Sequence, residues 1–185
     1  MSPGAPTSHT ASEILHDVTQ WGTWLKYAAL GKEKSTMPLP SWIVDHISLY
    51  RTDPEKAHLW DSSLGGGKGL IATLLLTTKG RKSGREISIP LIYGRYGPAY
   101  VVIASKGGAP DHPDWYKNLA ANPMCHIQVS TEAYEAMART ATGDERSKLW
   151  AQLQKIYPPY DDYQRVAKGR EIPVVVLEPR ASLKT

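Results

Sequence analysis

At 185 residues the chain has room for one domain with a modest decoration, because about 150 residues per domain is the usual allowance. A hydrophobic content of 41% and a charged content of 22% are those of a globular protein and exclude wholesale disorder. Lys and Arg exceed Asp and Glu by 22 to 18, giving +4 and a pI of 9.1, which suits an anionic partner, while the lone Cys125 excludes an intrachain disulfide and a cysteine-based metal framework.

The first twelve residues are small and polar, without the basic and apolar regions of a secretory leader, and no run of about 18 apolar residues occurs. A cytoplasmic protein is therefore expected. Ile14, Leu15, Val18, Trp21, Leu25, Ala28 and Ala29 then share one stripe at helical spacing, predicting an amphipathic helix over 13–30 with Thr10 and Glu13 at its start and Gly31 as its stop. That stripe docks on the domain or a sister subunit, or lies on the inner face of the cell membrane. A second helix is expected over Ser41 to Arg51, followed by one short turn opened by Asp53-Pro54. Gly65-Gly66-Gly67-Lys68-Gly69 reads as a flexible hinge and not as a P-loop, since its Lys is followed by Gly and no strand precedes it.

From Leu70 the pattern turns to strands. Leu70 to Thr78, Ile87 to Tyr93 and Ala99 to Ser105 are joined by short Gly-containing turns and predict a three-stranded antiparallel meander. A short helix over His112 to Asn122 precedes strands at Met124 to Ser130 and Ala133 to Thr140; Gly143 to Tyr157 is helical, Tyr160 to Lys168 adds a turn or two, and Ile172 to Leu177 closes as a strand. About six strands joined mainly by short turns argue against a doubly wound parallel sheet and for a small, largely antiparallel barrel with peripheral helices, an α+β architecture that is mainly β. No G-x-G-x-x-G follows a strand, so a dinucleotide fold is disfavoured.

The densest chemical signal is Lys79-Gly80-Arg81-Lys82-Ser83-Gly84-Arg85, a hairpin turn with four cations and two glycines and no acid before Glu86. Glycines let backbone N–H groups converge on an anion, Arg offers a planar fork and Lys adds point charge, so the turn can wrap a phosphate; a solvated polar turn is the plainer alternative. Ser105-Lys106-Gly107-Gly108 follows the third strand and shares the same mouth if the strands pair as a meander. Trp115, Tyr116, Asn118 and Leu119 either wall a ligand or fill the core. Tyr157, Tyr160 and Tyr163 recur every three residues around Pro158-Pro159 and offer phenols to a developing anion, or simply pack. Signatures of an acyl-serine enzyme, a metal site and a nucleic-acid-binding fold are missing from the sequence.

Taken in order, Leu75-Leu76-Thr77-Thr78, Gly80-Arg81-Lys82-Ser83-Gly84, Ile89-Pro90-Leu91, Ala104-Ser105-Lys106-Gly107-Gly108, His112-Pro113-Asp114-Trp115-Tyr116-Lys117-Asn118-Leu119, Ala121-Asn122-Pro123, Tyr157-Pro158 and Arg170-Glu171-Ile172-Pro173-Val174-Val175 resemble the deazaflavin-dependent nitroreductase family of actinobacteria. The resemblance implies a split β-barrel, usually dimeric, that binds reduced coenzyme F-420 and passes its hydride to a small electron-poor acceptor such as a quinone, nitroaromatic or activated alkene. It places the acidic, phosphate-bearing tail on Lys79, Arg81, Lys82, Ser83 and Arg85, with Ser105, Lys106 and Gly107 nearby. Ile87, Pro90, Ala104, Trp115, Tyr116, Asn118 and Leu119 would help wall the coenzyme, while Tyr157, Tyr160, Tyr163 and Ser105 would serve the acceptor. No nucleic acid is implied. The barrel would occupy 70–180, behind a helical segment and hinge at 37–69 and a tail and helix at 1–36. Where some relatives have Tyr after Pro-Leu this chain has Ile92, with Tyr93 on the opposite face, and Asp53 to Ser63 looks like an insertion over the pocket mouth or a dimer edge. An FMN-binding barrel and a non-catalytic carrier of deazaflavin or a lipophile are the competing expectations.

Overall fold

The structure is a computed structural model that describes residues 39–183; the helix expected over 13–30 lies outside the described residues. Helix α1 (Ser41–Thr52) and the four-residue α2 (Pro54–Ala57) precede strand β1 (Leu59–Asp61), a single 3-10 turn (Ser62–Gly65), and strands β2 (Leu70–Lys79), β3 (Glu86–Tyr96) and β4 (Ala99–Ile103). Helix α3 (Asp114–Ala121), strands β5 (Met124–Val129) and β6 (Glu132–Thr140), helices α4 (Gly143–Ile156) and α5 (Pro159–Val166) and strand β7 (Val174–Leu183) complete the described chain. The sheet runs β1-β2-β3-β4-β7-β6-β5 with every pairing antiparallel, and β5 returns to pair with β2, closing six strands into a barrel with β1 outside it.

Alternation along the strands separates two cores. Leu74 and Leu76 of β2, Tyr100 and Val102 of β4, Cys125 and Ile127 of β5, Ala136 and Ala138 of β6, and Val175 and Leu177 of β7 fill the barrel, which Trp115 and Leu119 of α3 plug from one end. The other faces of β4 and β7 are also apolar: Val101, Ile103, Val174 and Val176 lie buried under Leu149 and Leu153 of α4 and Tyr157 and Tyr160. Burial on both faces explains why these two strands read as continuous apolar runs, and each such side chain contributes about 1.5–3 kcal/mol. Gly94 lets α4 close on β3, since a Cβ there would sit 2.9 Å from Leu153 Cδ2.

Three features depart from the sequence expectation. Asp53 to Ser63 is α2 plus β1, an added edge strand too short for a propensity signal. The expected hinge after it is folded, with Gly65 ending a 3-10 turn. Strand β7 continues six residues beyond Leu177, past Pro179, because β6 pairs with it on both sides of a bulge at Arg180, next to the proline.

Helix α1 docks on β2 through a buried polar cluster. His46 Nε2 donates to Ala57 O at 2.8 Å, Tyr50 Oη donates to Thr73 O at 2.6 Å, and the His46 and Tyr50 rings stack at 5.4 Å. Burial pushes the His46 imidazole below its ordinary 6.5, partly offset by the Ala57 hydrogen bond, so the folded protein holds it neutral. The unfolded chain therefore binds the proton more readily, and the stability this histidine contributes is present above 6.5 and lost as the pH falls through it. The melting temperature is expected to drop between about pH 7.5 and about pH 5.5. His46→Gln should flatten part of that slope in thermal melts; an unchanged slope would remove His46 from the account.

Candidate functional site

The basic turn is built by the β2–β3 hairpin. Gly80 N–H donates to Arg85 O at 2.8 Å and Gly84 N–H to Gly80 O at 2.7 Å, with Gly84 at φ +68°, so the loop closes on its own backbone and turns its side chains outward. Lys79, Lys82, Ser83 and Arg85 are exposed, and none of the three cations pairs with a carboxylate among the described residues. Arg81 differs. Its guanidinium reaches Asp114 Oδ1 and Asn118 Oδ1, both at 3.0 Å, and its N–H donates to Asn118 Oδ1 at 3.2 Å. Asn118 is only 2% exposed and gives its amide to Thr78 Oγ1 at 3.2 Å, so it ties turn, helix and barrel together.

The second loop leaves β4 at Ala104. Ser105 is right-handed, and Lys106, Gly107 and Gly108 follow at φ +49°, +59° and +78°. A left-handed lysine stores about 1 kcal/mol or more of backbone strain, and the loop closes on itself through Gly108 N–H to Ser105 O and Ala109 N–H to Lys106 O, both at 3.1 Å. Gly108 packs directly on α5, where a Cβ would lie 2.7 Å from Tyr163 O and 3.1 Å from its Cα. From below, the Arg170 guanidinium donates to Ala104 O (3.2 Å), Ser105 O (2.7 Å) and Ala109 O (2.9 Å) and approaches His112 Nδ1 at 3.3 Å. Burial, then the Arg170 and Lys117 charges, push His112 below its ordinary value, which leaves the imidazole nitrogen free to accept.

The three tyrosines sit on the outer face of β4 and β7. Tyr157 and Tyr160 are buried and Tyr163 is half-buried; their rings pack edge to edge or tilted with centroids 5.0–6.3 Å apart. Burial, the largest cause, pushes all three phenols above their ordinary 10.0, so they stay protonated and act as donors. Ile92 packs against this cluster, while Tyr93 lies on the barrel side, edge-on to Tyr100 at 5.3 Å.

The structure thus brings turn, α3, second loop and α5 into one chain of contacts, with the tyrosines beyond the loop. It places Trp115, Asn118 and Leu119 inside the core, where they fix α3; Tyr116 is half-buried, its hydroxyl 3.1 Å from Thr140 Oγ1. Ala104 is buried and its carbonyl serves Arg170, whereas Ile87 is 42% exposed; Ile89 and Leu91 are half-buried against the barrel core, and Pro90 is half-buried on the opposite face of β3. Sequence reasoning assigned no role to Arg170, whose sole signal was its place in the Arg-Glu-Ile-Pro run, or to Gly65, whose carbonyl faces the tyrosines. A depression of about 340 Å³ beside the turn includes Thr77, Lys79, Glu86, His126 and Glu135; its two carboxylates outnumber its one lysine, so it is the poorer anion site. Among the described residues no group of three or more His, Cys, Asp or Glu is arranged to hold a metal, and no helix is long and apolar enough to cross a membrane.

Residues 50–179 match the family model described as F420H2-dependent quinone reductase. A protein of Mycobacterium tuberculosis named F420H2-dependent quinone reductase is 32% identical over 155 residues, covering 78% of this chain and all of that protein. Among solved structures, one described as an F420-H2 dependent reductase is 39% identical with a TM-score of 0.53, over 57% of this chain and 93% of its own. Another, described as a domain-swapped dimer, is 39% identical with a TM-score of 0.54, over 57% of this chain and 79% of its own.

Proposed function

The chain belongs to the F420H2-dependent quinone reductase family and transfers a hydride from reduced coenzyme F-420 to a quinone-type acceptor; within that activity, we propose a role for each wall of the site. The residues present suit the coenzyme. Three cations with no carboxylate partner among the described residues, set on a glycine turn, match a phosphate-bearing acidic tail, and the exposed Ile87 at the start of β3 offers apolar surface to a planar ring. Lys79, Lys82, Ser83 and Arg85 would hold the tail, with Arg81 dividing its charge between the tail and Asp114. Ser105, Lys106 and Gly107 would turn backbone and side-chain donors toward the same ligand. Ile87, Pro90 and Tyr116 would wall the ring; Ala104, Trp115, Asn118 and Leu119 hold those walls in place.

The bound coenzyme supplies the hydride. The chain's own residues position the acceptor, exclude water and steady the charge that develops on it. Tyr157 and Tyr163 would donate hydrogen bonds to the acceptor oxygen, Tyr160 would support them, and Ser105 offers a further hydroxyl at the loop. In this reading residues 70–180 carry the site, behind the helical segment at 37–69. A cytoplasmic homodimer is the expected assembly, supported by the 39% identical chain described as a domain-swapped dimer, and light scattering checks it. Contact with the inner membrane face through 13–30 is tested by vesicle flotation with and without residues 1–30.

The exposed cations of the turn carry this assignment. Titration with coenzyme F-420 and separately with FMN, then mixing with reduced F-420 and menadione, tests it. Preference for FMN would favour the flavin reading, and tight F-420 binding without turnover a carrier. The Lys82→Glu/Arg85→Glu double variant is expected to weaken F-420 binding by about tenfold or more while leaving the melting temperature within about 1 °C, because both side chains point into solvent. Unchanged affinity would move the tail elsewhere.

A further inference from the structure

The excursion from Asp61 to Gly69 closes on itself. Ser62 donates to Gly69 O through its N–H (2.9 Å) and its hydroxyl (2.8 Å), Gly67 N–H donates to Ser62 O at 2.8 Å, and the Asp61 carboxylate accepts from Ser63 N–H at 3.0 Å. The excursion meets the tyrosine cluster through one carbonyl: Gly65 O accepts from the Tyr157 hydroxyl and, at 3.2 Å, from the Tyr163 hydroxyl, with the two phenol oxygens 3.1 Å apart. Gly65 and Gly67 are seated on the Tyr157 ring. A Cβ on Gly65 would lie 2.7 Å from Tyr157 Oη, and one on Gly67 would lie 2.8 Å from Tyr157 Cε2 and 2.6 Å from Ser62 Oγ. Neither glycine has a left-handed φ, so what glycine provides here is clearance and not backbone freedom.

Two phenol donors converging on one carbonyl oxygen is the arrangement a quinone oxygen requires as it gains negative charge. Here a backbone carbonyl occupies it. We infer that the strap Ser62–Gly67 is a built-in stand-in for the acceptor: Gly65 O holds the position of the quinone oxygen, and the strap must lift before a quinone binds. The inference rests on the assignment of Tyr157 and Tyr163 to the acceptor side. The strap then sets acceptor affinity, since each quinone competes with a tethered carbonyl, and weak carbonyl acceptors are excluded. In the reaction the hydride brings both electrons to the quinone. The resulting oxyanion takes its proton from water, and the phenol hydrogens stay on the tyrosines.

Gly67→Ala crowds both the Tyr157 ring and Ser62 within the strap, and so unseats the strap at a φ that alanine accepts. The KM for menadione should fall by about threefold or more, with kcat and F-420 affinity unchanged, because the competing carbonyl is withdrawn. In the wild-type protein without coenzyme, menadione should speed amide hydrogen exchange across residues 62–69, a readout independent of turnover and of the variant's folding. An unchanged or raised KM in a folded Gly67→Ala protein, or exchange unaffected by saturating menadione, would overturn the strap while leaving the coenzyme assignment intact. Failure of the wild-type protein to bind F-420 would instead remove the reading beneath it.

Discussion

The Tyr157→Phe/Tyr163→Phe double variant is expected to lower the rate of hydride transfer to menadione by about 100-fold or more, the loss seen when donors to a developing oxyanion are removed. Phenylalanine preserves the ring packing with Tyr160, at 5.0 Å from Tyr157 and 6.3 Å from Tyr163, so the cluster itself should stand. What disappears is the pair of hydroxyls aimed at a single oxygen. Stopped-flow single turnovers with preloaded reduced coenzyme isolate the chemical step from acceptor binding. The wild-type rate should show no phenol ionisation below pH 10, because burial, the largest cause, raises both groups above their ordinary value. A variant rate within about threefold of wild type would leave the phenols with a packing role alone.

Arg170→Met is expected to cost about 3 kcal/mol of stability, since it strips donors from the carbonyls of Ala104, Ser105 and Ala109. For a protein of this size that is a fall in melting temperature of roughly 6–12 °C. The second loop should lose its register with it, because Lys106 keeps its left-handed φ of +49° only while its neighbours are pinned. Weaker F-420 binding should therefore accompany the lower melting temperature. Arg170→Lys should not rescue either, as one ammonium cannot span three carbonyls in different directions. A melting temperature within about 2 °C of wild type would show that water replaces the guanidinium without loss.

The two faces of β4 and β7 show why much of the barrel was legible. Val101, Val102 and Ile103, like Val174, Val175 and Val176, are apolar without interruption because the lumen takes one set and α4 and α5 the other. Short glycine turns between such runs force antiparallel neighbours, and the basic hairpin 79–85 stood out because nothing in the core calls for four cations. Local composition can report these features because they depend on residues close together in the chain.

Other features depend on partners far along the chain, and composition is silent about them. Arg81 reads as one more ligand for an anion until Asp114 and Asn118, more than thirty positions away, are seen to hold it. Trp115, Asn118 and Leu119 read from the sequence either as pocket wall or as core, and only the fold shows α3 burying all three against the barrel end. The sequence alone determined that this is a small antiparallel barrel with a cationic glycine turn and a tyrosine run, because alternation, turn chemistry and charge are local properties. Only the tertiary structure decided that Arg170 pins the second loop and that Gly65 faces Tyr157 and Tyr163, because a hydrogen bond across 65 to 98 residues is set by closure of the fold and leaves no periodic trace.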